Sequence, residues 1–497
     1  MTLILQGMVK SRPRFTSDNP EFSERSLLMK NSANGETVEI TASGLAARLG
    51  LFDATMIVMG GIVGAGIFIN PYVVAQQVRT PALILGAWVI GGAIALGGAF
   101  IWAELAATLP RVGGQYAYLR EAYHPALAFL YGWVLLLVIQ TGGMAAVAVT
   151  FAKYFLEFVP LQWSSGVVAT LALGILTAIN CLGVRAGSTV QSALMVLKIV
   201  AIAALVLFGA VFLLHHGPAF YAPVKGHRVL DRPVSFDLVT AMGAAMVPVL
   251  FSYGGWQTAN FVAEEIREPR KNLPRALVIG VVGVILLYLS VNFVCVYVLG
   301  PAGLAQTTTP ASSVMLVALG RKGAVLIAVG ITISALGFLS QSILTAPRVY
   351  FAMAEDGLFF RSAAWLEPRR RVPVVAIALQ GIAAIVIALS GRYDQILSYV
   401  VSMDFLFFGL TATCIFVFRR RPPVGDKARG EKEAGKFARM PGHPVTTFLF
   451  TTACWLVVIN TISKYPHNTA VGFGILFAGI PVYFFWSRQK KKRSDAA

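Results

Sequence analysis

Two glycine-rich stretches in an otherwise apolar chain have the spacing to leave peptide groups bare. The first reads Gly60-Gly61-Ile62-Val63-Gly64-Ala65-Gly66 and the second Ser252-Tyr253-Gly254-Gly255. Each lies inside a run long enough to cross a bilayer, and a helix broken at that depth exposes N–H and C=O groups that lipid cannot satisfy. In the first run a new half-helix would begin near Gly66, with the N–H groups of Ala65, Gly66 and Ile67 aimed into the gap. That end carries the positive pole of the helix dipole and suits a carboxylate. In the second run the preceding half-helix would stop near Phe251 and present the carbonyls of Phe251, Ser252 and Gly254, which suit an ammonium group. A ligand bearing both groups on one carbon completes the two ends, and such a ligand is an α-amino acid. Gly60 and Gly64 alone also form a GxxxG pattern, the ordinary mark of close helix packing. A matching break five segments later favours a binding site between two inverted halves.

Lys198 lies about ten residues, or roughly 15 Å, into its own apolar segment. A charge at that depth costs at least about 2.5–3.5 kcal/mol and as a rule marks a pathway, although a structural lysine bonded to carbonyls is the alternative. Asp404, also mid-segment, either lines the route or bonds a neighbour. Glu104 reads as a loop brace, and Glu264-Glu265 as a solvated helix end beside Arg267 and Lys271. No phosphate-binding loop, metal-spaced histidine cluster or nucleophile elbow is present in the sequence. An enzyme and an ATP-driven pump are therefore disfavoured, and no cofactor or metal is called for. Four cysteines fall in apolar runs, at spacings that fit neither a disulfide framework nor a zinc site. The chain opens without the pattern of a signal peptide.

The elements that must carry these residues follow from composition. Of 497 residues 57% are hydrophobic and only 13% charged, with a mean hydropathy of +0.71. A soluble chain carries roughly a quarter charged residues, so the solvent here is lipid. At about 20 apolar residues per span, the sequence predicts twelve segments near 54–78, 81–109, 126–158, 164–182, 188–214, 236–262, 274–299, 323–353, 373–389, 394–418, 445–462 and 469–486. Prolines such as Pro81, Pro125, Pro274 and Pro373 punctuate their ends. Residues 45–54 have the pattern of a short amphipathic helix lying on the membrane surface. With the N-terminus in the cytoplasm, roughly 30 Lys and Arg fall inside and roughly 8 outside, which places both termini in the cytoplasm. This asymmetry accounts for the net charge of +18 without nucleic acid.

Several motifs resemble one known family. Gly60 to Phe68 (GGIVGAGIF) is similar to the first-helix signature of the amino acid–polyamine–organocation (APC) superfamily. Phe251-Ser-Tyr-Gly-Gly-Trp256, Asn260-Phe-Val-Ala-Glu-Glu265 and Asn272-Leu-Pro274 resemble the sixth-helix signature of its L-type amino-acid transporters. Trp102-Ala-Glu-Leu105 and Gly113 to Tyr118 (GGQYAY) match after the second helix. The likeness covers roughly residues 45–420. It implies an all-α membrane protein of twelve transmembrane helices: a five-plus-five inverted repeat with helices 1 and 6 broken, plus two C-terminal helices. A cytoplasmic segment 1–50 would precede the core 51–418, with repeats at about 51–215 and 236–418. A linker 419–444, helices 11 and 12 over 445–487 and a basic tail 488–497 would follow.

The resemblance also implies roles. Backbone groups at Ile62, Ala65 and Gly66 would hold the carboxylate, and Ile62, Phe251 and Gly254 the amino group, with Gly64, Ser252 and Gly255 also in the substrate-binding set and Phe251 gating the site. Gly142, Gly143, Gln257, Phe338 and Ser340 would border the side-chain pocket. Lys198 would replace the sodium of ion-driven relatives by bonding helices one and eight. The family often has serine where Ala65 stands and asparagine where Gln257 stands; both substitutions spare the backbone groups. A neutral L-α-amino acid moved by sodium-independent exchange in a plasma membrane, by resemblance a bacterial inner membrane, is the expectation. Proton-coupled uptake and a non-transporting sensor are its rivals. Animal relatives join a heavy chain through a cysteine between helices three and four; Val-Pro-Leu-Gln-Trp (159–163) has none, so no such partner is expected.

Overall fold

The computed structural model describes residues 27–30, 37–41, 43–159, 162–218, 236–390, 393–421, 439–464 and 466–495. Helices make up nearly all of it. The exception is a small antiparallel hairpin, β1 (Leu27–Lys30) and β2 (Thr37–Ile40), within the N-terminal segment.

The first apolar run is two helices, α1 (Leu51–Ile62) and α2 (Gly66–Val78), which meet at 41°. α3 (Pro81–Thr108) crosses next, followed by the short α4 (Gln115–Ala122). The third apolar run is α5 (Pro125–Val134), a π-helical stretch Leu135–Gln140, and α6 (Thr141–Phe158). α7 (Ser165–Cys181), α8 (Val184–His216) and α9 (Phe236–Tyr253) come next. A 3₁₀ helix over Trp256–Glu265 continues from α9 and leads to α10 (Pro269–Gln306). α11 (Pro310–Thr345) runs into α12 (Pro347–Glu355), and α13 (Val374–Leu389), α14 (Tyr393–Arg420), α15 (Val445–Lys464) and α16 (Pro466–Asp495) complete the chain.

Among the described residues nine helices are long and apolar enough to span a bilayer, the bent α1–α2 pair makes a tenth span, and α7 and α13 are shorter apolar helices. Proline at the first position opens α3, α5, α10, α11 and α12, where its missing N–H costs nothing and its fixed φ suits the helix. Pro274, expected to open a helix, lies instead inside α10, whose start is Pro269.

One expectation fails at the N-terminal side. Residues 45–50 are not a surface helix: helix begins only at Leu51, and Leu45 and Leu49 are fully buried. The reason is a backbone partner. Arg48 N–H and Leu49 N–H both donate to Glu265 O at 2.9 Å, and Arg267 N–H donates to Leu49 O at 2.8 Å. This short parallel bridge satisfies peptide groups that a surface helix would have satisfied internally.

The core around the future site is aromatic. Trp88 (α3), Tyr253 (α9) and Tyr288 (α10) meet edge-on or tilted, with ring centroids 5.0–5.8 Å apart. A second group, Trp102, Trp256, Phe408 and Phe450, packs just beyond the end of α9. Offset and edge contacts of this kind add to burial and fix the two half-helices of the sixth run against α3, α14 and α15.

Candidate substrate site at the two helix breaks

The first break lies where the glycines put it. Val63 N–H still bonds back to Met59 O at 2.8 Å and Gly64 N–H to Ile62 O at 2.9 Å, and α2 then begins at Gly66. Among the described residues, the N–H groups of Ala65, Gly66 and Ile67 meet no acceptor. Gly64, Ala65 and Gly66 are only half-buried, so this helix start is reachable.

The second break comes two residues later than expected, after Tyr253 rather than Phe251. Gly255 takes φ +112°, a left-handed conformation that favours glycine. It also has no room for a side chain: a Cβ there would collide with the Gly61 carbonyl and stand 3.2 Å from Ile62 N. In turn a Cβ on Gly61 would lie 2.6 Å from Gly255 O. The two breaks are therefore stacked backbone on backbone.

Four side chains from other helices bind the breaks together. The Tyr288 hydroxyl on α10 is shared between Ile62 O at 3.0 Å and Ser252 O at 3.2 Å. Lys198 on α8, fully buried, donates its ammonium to Val63 O at 2.5 Å. Ser334 on α11 donates to Gly64 O at 3.2 Å. Asn70 on α2 donates to Ser252 Oγ at 2.7 Å and Pro248 O at 3.1 Å, tying α2 to α9.

The result is an asymmetry. The carbonyls of Ile62, Val63 and Gly64 all have donors, while the three N–H groups that follow them have no acceptors. Of the expected ammonium ligands, Ile62 O and Ser252 O are held by Tyr288, and Phe251 O accepts Gly254 N–H at 3.2 Å. Gly254 O meets no donor among the described residues.

Gln257 turns inward and accepts Gly255 N–H at 3.1 Å, while Thr258 donates to Gly255 O at 2.7 Å and receives Gln341 at 2.6 Å. Phe338 stands beside Gly64, where a Cβ would be 3.5 Å from its ring, and Phe251 is 40% exposed. Gly143 has open space where a side chain would go; Gly142 is buried. Both follow the π-helical turn, a local widening often found at functional sites. Ser340 faces a different way from Phe338. It is two positions from Phe338 on one helix, so the two cannot share a face, and it is fully buried.

Lys198 meets helix one as expected. Its contact with helix eight is packing, since Gly337 leaves the space: a Cβ there would lie 3.0 Å from the ammonium nitrogen.

The sequence profile of amino acid permeases matches residues 49–486. The chain belongs to the amino acid permease family. It is 29% identical over 456 residues to the serine/threonine exchanger SteT of Bacillus subtilis, covering 90% of this chain and 98% of that protein. It is 29% identical to the human large neutral amino acids transporter small subunit 2, covering 91% and 83%, and 28% identical to the mouse Asc-type amino acid transporter 1, covering 90% and 83%. The permease is thus an integral membrane transporter of amino acids in the APC superfamily, similar to its L-type members, and the family's members are transporters rather than enzymes.

The permease also carries ion pairs that its sequence did not announce. Glu265 is not solvated: with Arg348 it forms a fully buried bidentate pair, at 2.5 and 3.0 Å. Glu264 accepts Val112 N–H at 3.1 Å and the Ser43 hydroxyl. Asp356 takes Arg120 and the Tyr116 hydroxyl, and burial followed by that carboxylate pushes the Tyr116 phenol well above its usual range. Glu104 holds Arg419 at 2.6 and 2.8 Å and Met440 N–H at 2.6 Å, so it braces the end of α14 and the turn before α15, in keeping with a loop brace.

Proposed function

We propose that the permease exchanges neutral L-α-amino acids without sodium, by alternating access around the paired breaks. One observation carries the reading: three adjacent N–H groups at the start of α2 lack acceptors while the carbonyls of Ile62, Val63 and Gly64 just before them are filled. Such an end attracts a carboxylate, and the free Gly254 O across the gap suits the ammonium of the same ligand. Ala65, Gly66 and Ile67 would hold the carboxylate, and Gly254 the amino group. Phe251 would gate the site, with Phe338 and Gly143 beside the substrate side chain. Lys198 would stand in for a sodium ion, since its side-chain nitrogen donates directly to Val63 O.

The reading includes the full architecture. It takes α1–α2, α3, α5–α6, α7, α8, α9 with its 3₁₀ extension, α10, α11–α12, α13, α14, α15 and α16 as twelve spans. The first ten form two inverted halves, about 51–215 and 236–418, and both termini lie in the cytoplasm. The two broken runs at corresponding positions and the lysine and arginine asymmetry support it. No disulfide-linked heavy chain is proposed, because the sequence 159–163 lacks a cysteine.

Counterflow in proteoliposomes tests the reading. Vesicles loaded with single neutral L-amino acids should accumulate labelled amino acid equally with and without sodium, and only when loaded. Asp404, with no hydrogen-bond or ion-pair partner among the described residues, favours proton coupling as the second reading. Net uptake into empty vesicles driven by a pH gradient would establish that instead. Binding without flux would make the protein a sensor.

A further inference from the structure

The last helix does not end where its apolar run ends. Tyr483, Phe484, Phe485 and Trp486 close that run, with Phe484 and Phe485 56% and 55% exposed, an aromatic belt of the kind that sits at the membrane interface. α16 nevertheless continues as helix to Asp495. It therefore holds Lys490 to Arg493, all exposed, up to roughly 10 Å beyond Trp486, within reach of the headgroup layer.

A second segment meets this helix end. The Trp486 ring packs edge-on against Phe360, centroids 5.2 Å apart, and Phe360 is itself 55% exposed. One turn on, the stem of Lys490 lies over Gly357, whose φ of +74° favours glycine; a Cβ there would stand 3.5 Å from Lys490 Cγ and Cδ. The exposed Arg361 follows Phe360. Among the described residues none of Arg361 and Lys490 to Arg493 is ion-paired. Of the acids close by, Asp356 holds Arg120 and Tyr116, the charged neighbours of Glu355 are Glu264, Asp356 and Arg120, and Asp495, on the last turn of the same helix, forms no ion pair among the described residues.

We propose that the end of α16 and the loop after α12 together bind the headgroups of anionic phospholipids. Unpaired cations carried on a continuous helix at headgroup depth, beside exposed rings that favour the interface, match a lipid with a negative headgroup and an apolar tail. A zwitterionic lipid brings no net counter-charge, because its own cationic group offsets its phosphate. The site lies at the end of the run α11–α12 that also supplies Ser334 and Phe338, so a bound lipid holds α16 against an element of the substrate site. This goes beyond the transport reading and does not depend on it.

The test reads binding rather than flux. The full-length protein is reconstituted in phosphatidylcholine vesicles containing brominated phosphatidylglycerol or, in parallel, brominated phosphatidylcholine. The Trp486 signal is obtained as the difference between wild type and Trp486→Phe. Quenching by the anionic lipid should exceed that by the zwitterionic lipid several-fold at low salt. In Lys490→Gln/Lys491→Gln/Lys492→Gln/Arg493→Gln the relative association should fall at least about tenfold, and 0.5 M salt, roughly enough to screen such contacts, should do the same to wild type. Millimolar inorganic phosphate should leave the preference in place. Equal quenching by the two lipids in wild type, an unchanged preference in the fourfold variant, or displacement by phosphate would each overturn the proposal.

Discussion

Single residues decide whether the breaks exist and what they present. Gly255 has both a left-handed φ and the Gly61 carbonyl against its Cα. Gly255→Ala should abolish counterflow and lower the yield of folded protein, whereas Gly143→Ala, in open space, should fold normally and change only which amino acids exchange. A Gly255→Ala variant with native stability and rate would contradict the stacked-break geometry. Lys198 is more informative still. A charge-assisted bond such as Lys198 to Val63 O contributes about 1.5–3 kcal/mol, or roughly a factor of 10–100 in a conformational equilibrium. Lys198→Ala should therefore cut counterflow by at least about tenfold while expression stays intact, and normal exchange would remove it from the mechanism. Both positions were legible in the sequence, because a glycine run or a lone lysine in an apolar segment is a local departure from what lipid tolerates. Asn70, Tyr288 and Ser334 were not. Each is an ordinary polar residue whose role comes from a partner far along the chain, 226 positions away for Tyr288 and Ile62.

At the scale of elements, the same limit shows in two places. Apolar periodicity locates spans, but it carries no mark of the π-helical turn at Leu135–Gln140, made of residues that would suit an α-helix equally well. Nor does a Glu-Glu pair beside basic residues disclose that Arg348, 83 positions on, will bury one of them. That pair joins the 3₁₀ end of the sixth run to α12, and both groups are out of water. Removing one partner leaves an uncompensated buried charge, at a cost of about 3–5 kcal/mol, whereas replacing both by apolar residues of similar volume is close to neutral. Arg348→Met should therefore lower the thermal stability of detergent-purified protein markedly, and Arg348→Met/Glu265→Leu should restore most of it. If the double variant is as unstable as the single one, the pair's contribution lies elsewhere than in mutual neutralisation. Tyr288→Phe tests the clamp between the runs: the carbonyls of Ile62 and Ser252 each lose their shared donor, so exchange should slow without loss of fold.

For the whole molecule, the distribution of closure sets a direction. On the N-terminal face Leu49, Glu265, Arg348 and the 3₁₀ helix Trp256–Glu265 are almost entirely buried. At the breaks, by contrast, Gly64, Ala65 and Gly66 keep partial exposure and Phe251 is 40% exposed. With the Leu49–Ile266 bridge and the buried ion pair packed on the α1 side of the 3₁₀ helix, the open N–H groups are expected to be reached from the opposite face. In a variant whose native cysteines are replaced by serine, Ala65→Cys should react with a membrane-impermeant maleimide added on the face opposite the N-terminus. Reagent added on the N-terminal face should leave it unlabelled. An L-amino acid that drives counterflow should protect it, because its carboxylate occupies the same helix start, and the D-enantiomer should protect less well. Weakening the seal by Arg348→Met should make the same cysteine reactive from the N-terminal face, as expected if two packings of the inner halves compete and the ion pair biases one of them. Equal labelling from both faces in the parent, or labelling that substrate does not slow, would mean that the breaks are not where the amino acid rests.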